Sequence, residues 1–391
     1  MALQKSQIYL LSFSSAVIAA NGYYAQPLLA YWADAFHVSQ SNAGQVFFCS
    51  MLGQALGMII LIPLGDKLKR KRLILFTIGI TTVMIILAAL SVNITMLKAC
   101  MLVAGFFSIG PQLMIPMAVD LSLKEEQTHI VGMITAGVLT GVVFARLIGG
   151  SITAWINWRL VYALSSGFLI ISFIFIQRYI PESQSKFKGS YKEILQSVWK
   201  LFRQYGEIRV AIIVSGSAFV LSRMFWATVA FLLAAKPFNM TTDIIGLFGL
   251  VTLAGSMSAP LAGKLNKRFT PHKIILFNLG LLSLAFLLLF FFPTRILVII
   301  AGGLLMEGSR QLIQVTMQSQ TISLVAEARS RLNMLFISGC FIGAALGAAL
   351  GLIVWYWDKW QGVCYGAFIV LAIQSLTYVQ AWRKKKSAVN S

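Results

Sequence analysis

Charge is scarce in this chain, and acidic charge scarcest: 11% of its 391 residues are charged, with 12 Asp and Glu against 32 Lys and Arg. Soluble domains average about 25% charged residues, so a water-soluble globular fold is excluded. Cysteine is also sparse. Cys49, Cys100, Cys340 and Cys364 all fall in apolar runs without metal-ligand spacing, which excludes a disulfide framework and reads as buried thiols. The three histidines, His37, His129 and His272, are dispersed at the ends of those runs and offer no metal cluster. No Gly-rich phosphate loop precedes a Lys-Ser/Thr pair, so the chain carries no ATPase module of its own. No cofactor is expected.

What the chain has instead is apolar length. Hydrophobic residues make up 58% of it and the mean hydropathy is +0.81. Runs close to the roughly 20 residues that cross a bilayer recur from end to end. Twelve spans are predicted, at 8–32, 44–64, 73–91, 96–120, 130–154, 159–180, 209–235, 243–263, 273–292, 295–321, 332–356 and 360–382. The first run, from Ile8, is too long for the apolar part of a cleavable signal and is expected to stay as a helix.

A net charge of +20 would suggest nucleic acid as a partner in a soluble protein. Position gives it another meaning. With a cytoplasmic N-terminus, 24 of the 32 basic residues fall on the cytoplasmic side, five on the other and three inside spans. That bias is the positive-inside signal. It predicts an integral protein of a bacterial inner membrane, both termini cytoplasmic, with the lipid bilayer as partner and no nucleic acid.

One connection is long. Residues 181–208 are polar and basic, with an amphipathic run from Tyr191 to Phe202, and read as a cytoplasmic linker carrying a surface helix. They divide the chain into a six-helix bundle at 1–180 and another at 209–391. The halves repeat. Pro63-Leu64 with Lys67-Leu68 recurs as Pro260-Leu261 with Lys264-Leu265, 197 residues on. Ser122-Leu123, Glu126 and Met133 recur 201 residues on as Ser323-Leu324, Glu327 and Met334. The ladder Gly137, Gly141, Ala145, Gly149 recurs 202 residues on as Gly339, Gly343, Gly347, Gly351. Three matches in order at nearly constant spacing predict an all-α membrane protein of two pseudo-symmetric six-helix bundles. Parallel repeats of this kind build transporters with a midplane substrate site. The ladders suit close helix packing.

The segment PLGDKLKRKR, from Pro63 to Arg72, is similar to the signature loop of the major facilitator superfamily. Leu64, Gly65, Asp66, Lys67, Arg70 and Lys71 fit its pattern, while Ile62 and Lys69 replace its two glycines. The second-half copy has Gly263 where the first has Asp66. The run GVVFARLIGG, from Gly141 to Gly150, resembles the family's antiporter motif, but Ala145 and Arg146 stand where that motif has Gly and Pro. No antiport mechanism is carried over. The resemblance covers the whole chain and implies a twelve-helix secondary transporter. It also implies gating through Asp66, which would meet the positive N-terminal end of span eleven, with Arg70 in the same loop.

Three arginines, Arg146, Arg223 and Arg310, lie deep in spans five, seven and ten. A charge at the bilayer centre costs about 2.5 to 3.5 kcal/mol on insertion scales. Such a residue is expected to face a wet cavity, a partner or a substrate. Span ten also places Glu307, Gln311, Gln314 and Gln318 on one helical face with Arg310. Span seven adds Trp226, span one Asn21 and Tyr24, and span four Gln112 between Pro111 and Pro116. A polar stripe in an apolar helix must face protein or water. Guanidinium groups bind carboxylate or phosphate through paired hydrogen bonds. The expected substrate is therefore a small organic anion, a carboxylate or a siderophore-like solute. Glu307 is the candidate proton carrier. Two of these arginines have blander readings: Glu307 and Arg310 as an intrahelical pair, and Arg146 as a brace between helices.

The rival within the same class is a multidrug–proton antiporter, whose cavity for lipophilic cations should be acidic where this one is basic. An intramembrane enzyme would need a nucleophile or metal cluster at membrane depth, and the dispersed histidines offer none. The chain is read as a non-enzyme, acting as a monomer.

Overall fold

The computed structural model describes residues 3–123, 125–182, 190–253, 258, 265, 268–325 and 328–390, and these are helical or in short turns, with no strand among them. The helices are α1 (Lys5–Asn21), α2 (Ala25–Ala35), α3 (Gln40–Leu61), the single turn α4 (Leu64–Lys67), α5 (Arg70–Ala89), α6 (Ile94–Phe107) and α7 (Gly110–Asp120). They continue with α8 (Gln127–Trp155), α9 (Trp158–Tyr179), α10 (Tyr191–Gln204), α11 (Gly206–Ala234) and α12 (Thr242–Leu247), which runs into a 3-10 turn at Phe248–Val251. The last are α13 (Pro271–Phe291), α14 (Ile296–Ser323) and α15 (Arg329–Asn390), which breaks at Asp358 and Lys359. That break separates the eleventh and twelfth predicted spans. The later part of the predicted eighth span, with Pro260-Leu261 and Gly263, lies outside the described residues, as do Lys264 and Glu327 of the repeat.

Two predicted spans are not continuous. The first is interrupted at 22–24, so that α1 and α2 share it. The fourth is broken at Ser108 and Ile109 rather than at its prolines. Pro111 sits in the first turn of α7, where a missing N–H removes no helical bond, and the break falls just before it. Elsewhere the helix starts follow side-chain caps. Ser39, Asn93 and Asn157 each accept a hydrogen bond from a backbone N–H of the helix they precede, α3, α6 and α9.

The chain forms two compact units, Met1–Leu195 with Asn239–Gly249, and Gln196–Phe238 with Leu250–Ser391. In the first, α1 packs on α8 through the small-residue ladder. A Cβ on Gly137 would come 2.3 Å from the Ser12 carbonyl oxygen, and one on Gly141 would come 2.2 Å from that of Ala16. In the second, α11 packs on the first part of α15 in the same way. A Cβ on Gly343 would meet the Gly216 carbonyl oxygen at 2.4 Å, and one on Gly347 that of Val220 at 2.3 Å. Backbones this close leave room for hydrogen only, which is how small residues bring membrane helices together. Within the first unit, α12 lies on α8, where Gly150 and Gly246 face each other's backbones. Outward faces carry exposed apolar side chains such as Phe76, Phe277 and Ile369. Among the described residues nine helices are long and apolar enough to cross a membrane, and exposed apolar faces are what lipid requires.

Candidate functional site

Phe219, Ser222, Arg223 and Trp226 follow one another at i, i+3, i+4 and i+7 on α11 and so share one face. That face meets Glu307 and Arg310 of α14 inside the second unit. The Glu307 carboxylate is 2% exposed as a residue and is surrounded by donors. Ser222 Oγ donates to Oε1 at 2.6 Å, Trp226 Nε1 donates to the same oxygen at 2.8 Å, and Arg310 Nε donates to Oε2 at 2.9 Å. A carboxylate that only accepts is suited to its ionised form.

Arg310 is held by its own helix. Besides Glu307 it donates from Nη1 to Gln314 Oε1 at 3.0 Å and from Nη2 to Gln311 Oε1 at 3.1 Å. Guanidinium has five N–H donors in a planar fork, so these three bonds leave two for another group. Arg223 is buried on the same face and interacts electrostatically with Glu307. Both guanidinium carbons lie over the Phe219 ring, Arg310 at 4.7 Å and Arg223 at 5.9 Å from its centroid. Among the described residues, two cations thus meet one carboxylate in a buried setting where charges interact strongly. Further along α14, Gln318 Nε2 donates to Asn333 Oδ1 at 2.7 Å.

The predicted residues of the first unit are arranged differently. Asn21 Nδ2 caps back onto the Val17 carbonyl at 2.9 Å, and its Oδ1 accepts from Ser165 Oγ at 2.9 Å. Tyr24 sits edge-on to Tyr162, with ring centroids 6.1 Å apart. Trp32 stacks on Tyr162 and meets Trp158 edge-on. Gln112 is partly buried, and its Oε1 accepts no hydrogen bond among the described residues. Arg146 is 1% exposed. Its Nε donates to Gln26 Oε1, and its guanidinium lies 5.2 Å from the Tyr23 ring centroid. Its stem fills the space left by Gly249, where a Cβ would come 2.7 Å from Arg146 Cβ.

At the signature loop, Arg70 joins three elements. Nη2 donates to Asp66 at 2.9 Å, Nε donates to the Gly65 carbonyl at 3.1 Å, and Nη1 pairs with Asp120 at the end of α7. Arg70 and Asp66 were both expected in the loop; Asp120 was not, because it lies 50 residues from Arg70. Sequence reasoning also missed Phe219 and Ser222, although their spacing with Arg223 and Trp226 could have revealed them. Among the described residues no three His, Cys, Asp or Glu side chains gather as metal ligands.

The family model of the Major Facilitator Superfamily matches residues 11–348. The chain belongs to that superfamily. It is 30% identical to the Uncharacterized transporter YgaY of Escherichia coli O157:H7, over 99% of this chain and 98% of that one. It is 22% identical to the "Probable sugar efflux transporter" of Helicobacter pylori (strain P12), over 97% and 96% of the two chains. The crystal structure of nucleoside transporter NupG superposes with a TM-score of 0.76 at 14% identity, covering 96% of this chain and 98% of that one. The fold is therefore that of the superfamily's helical transporters, and the chain is an integral membrane transporter of small molecules.

Proposed function

We propose that this major facilitator moves a small organic anion, a carboxylate or siderophore-like solute, by alternating access as a secondary transporter. The reading rests on one observation: Arg223 and Arg310 both meet the Glu307 carboxylate around Phe219. A buried pair of guanidinium groups set around a carboxylate favours an anionic ligand, and Arg310 keeps two donors for it. Gln311 and Gln314 fix the Arg310 fork, and Trp226 provides an aromatic wall. Asn21, Tyr24 and Gln112 are the polar residues of the first unit proposed to orient substrate. Arg146 is proposed as a brace, because Gln26, Tyr23 and the Gly249 turn enclose it.

Glu307 is the proposed proton carrier. An anion that engages Arg310 weakens the pair with Glu307 and frees the carboxylate to take a proton, which links the two fluxes. The loop of Asp66, Arg70 and Asp120 is proposed as a gate, since opening there must break a charge-assisted network. The 24-to-five distribution of basic residues supports an inner-membrane location with both termini in the cytoplasm.

The sugar and nucleoside substrates named for similar proteins define the competing arm of the test. Purified protein should be screened by thermal shift against citrate-like polycarboxylates, neutral sugars and nucleosides, and a cationic dye, each followed by uptake into proteoliposomes. The anion reading expects a shift with polycarboxylates that Arg223→Gln and Arg310→Gln both remove. A response to sugars or dye alone, unchanged in the arginine variants, would overturn it.

A further inference from the structure

The second half of α10 has two faces of different character. Leu201 and the following Tyr205 pack against Ile208, Ala328 and Leu332 in the second unit. The other face carries Trp199, 56% exposed, with Phe202 stacked on it at 5.5 Å and Arg203 placed 5.4 Å from its ring centroid. Gln196, Trp199, Lys200, Arg203 and Gln204 line an open hollow of about 630 Å³. Among the described residues, two cations, two amides and one aromatic ring line it, and no acid does. The acid of α10 itself, Glu193, lies in its first turn and accepts from Ser190 Oγ at 2.9 Å.

Depth supplies the next step. α10 ends at Gln204, and the membrane-crossing α11 begins at Gly206. With a rise of about 1.5 Å per residue, Lys200 and Arg203 lie within two turns of the point where the chain enters the apolar layer. That is where amphipathic helices place basic residues against headgroups and Trp at the acyl boundary. A solvated small anion would use the two cations but would leave the exposed Trp199 face uncovered. A lipid satisfies both.

We propose that this hollow binds the headgroup of an anionic phospholipid. The phosphodiester accepts from Lys200 and Arg203, Gln196 and Gln204 bond the glycerol or headgroup hydroxyls, and Trp199 lies along the upper acyl chain. Each basic residue near an anionic surface contributes about 1 kcal/mol, so removing both should weaken binding about tenfold to thirtyfold.

Full-length detergent-solubilised protein should be titrated with dioleoylphosphatidylglycerol, dioleoylphosphatidylcholine or inorganic phosphate. Unfolding temperature and retained lipid by native mass spectrometry are the readouts. Phosphatidylglycerol should raise the unfolding temperature and remain bound, phosphatidylcholine should do so far less, and phosphate should have no effect. Lys200→Gln with Arg203→Gln should lose the phosphatidylglycerol response, whereas Arg383→Gln with Lys384→Gln, which removes the same charge from the exposed C-terminal region, should keep it. The swap Lys200→Arg with Arg203→Lys should restore binding and so guards against a folding defect. Equal phosphatidylglycerol affinity in both double Gln variants overturns the site. A shift reproduced by phosphate overturns the lipid assignment. Neither readout depends on the transported solute.

Discussion

The two halves of the chain build the same seam and then use it differently. The ladder on α8 rests on Ser12, Ala16 and Tyr24, and the ladder on α15 rests on Ile212, Gly216 and Met224. Each pair of contacts is 200 residues apart, so the scaffold repeats closely. Carried along that register, Tyr23 corresponds to Arg223 and Gln26 to Trp226. In the first unit those two positions enclose Arg146 with an amide and an aromatic ring. In the second they meet Glu307 and Arg310. Packing is thus conserved within the chain, while the chemistry set on it has diverged. Among the described residues, one half sets its buried cation against an amide and a ring, and the other sets two cations around a carboxylate.

The sharpest way to break this contrast is to remove Glu307. Truncating one member of a buried ion pair strands the other charge, at a cost of about 3–5 kcal/mol, and here two guanidinium groups interact with the same carboxylate. Glu307→Ala should lower the yield of folded protein and its unfolding temperature more than any single change in the first unit. Glu307→Met combined with Arg310→Met should recover part of the loss, because Arg310 is then no longer stranded, while Arg223 still lacks the carboxylate. An unfolding temperature for Glu307→Ala equal to wild type would show that the cluster is hydrated and self-sufficient.

The twelve-span pattern, the repeat and the stripe of α14 were legible because each depends on local periodicity or on spacing within one helix. Glu307, Arg310, Gln311 and Gln314 are such a case: their contacts are i+3, i+1 and i+4. What could not be read was pairing between distant segments. Asp120 is an isolated carboxylate in sequence, and its partner Arg70 is found only when α5 and α7 are brought together. The breaks in the first and fourth spans were hidden for another reason. Hydropathy averages over a window, and a break of two or three residues such as Gly22–Tyr24 or Ser108–Ile109 barely moves the average.

The seams themselves should fail alike. A methyl group on Gly141 or on Gly343 would meet backbone at 2.2 and 2.4 Å respectively, and a backbone cannot swing away as a side chain does. Gly141→Ala and Gly343→Ala should each cost about 1–3 kcal/mol through overpacking, seen as similar falls in unfolding temperature. A large difference between them would mean that the repeat is one of sequence more than of packing.

The Arg146 brace is a smaller test of how the first half handles its charge. A double-mutant cycle with Arg146→Gln and Gln26→Leu should give a coupling of about 0.5–3 kcal/mol, and substrate-induced stabilisation should survive in Arg146→Gln. Loss of substrate response with little coupling would instead move Arg146 into the binding site.

The finest comparison uses one substitution in both halves. Ser222 donates to a carboxylate at 2.6 Å, whereas Ser165 donates to the neutral amide oxygen of Asn21 at 2.9 Å. A hydrogen bond to a charged group contributes about 1.5–3 kcal/mol, and a neutral one about 0.5–1.5 kcal/mol. Ser222→Ala should therefore lower the unfolding temperature more than Ser165→Ala, although both remove one buried hydroxyl from a helix interior. Ser222→Ala also withdraws a donor from the carboxylate that pairs with Arg310, so it should alter the response to anions, while Ser165→Ala should leave that response near wild type. Equal effects on both measurements would mean that the Glu307 carboxylate carries no more electrostatic weight than an amide, and the distinction between the halves would fall with it.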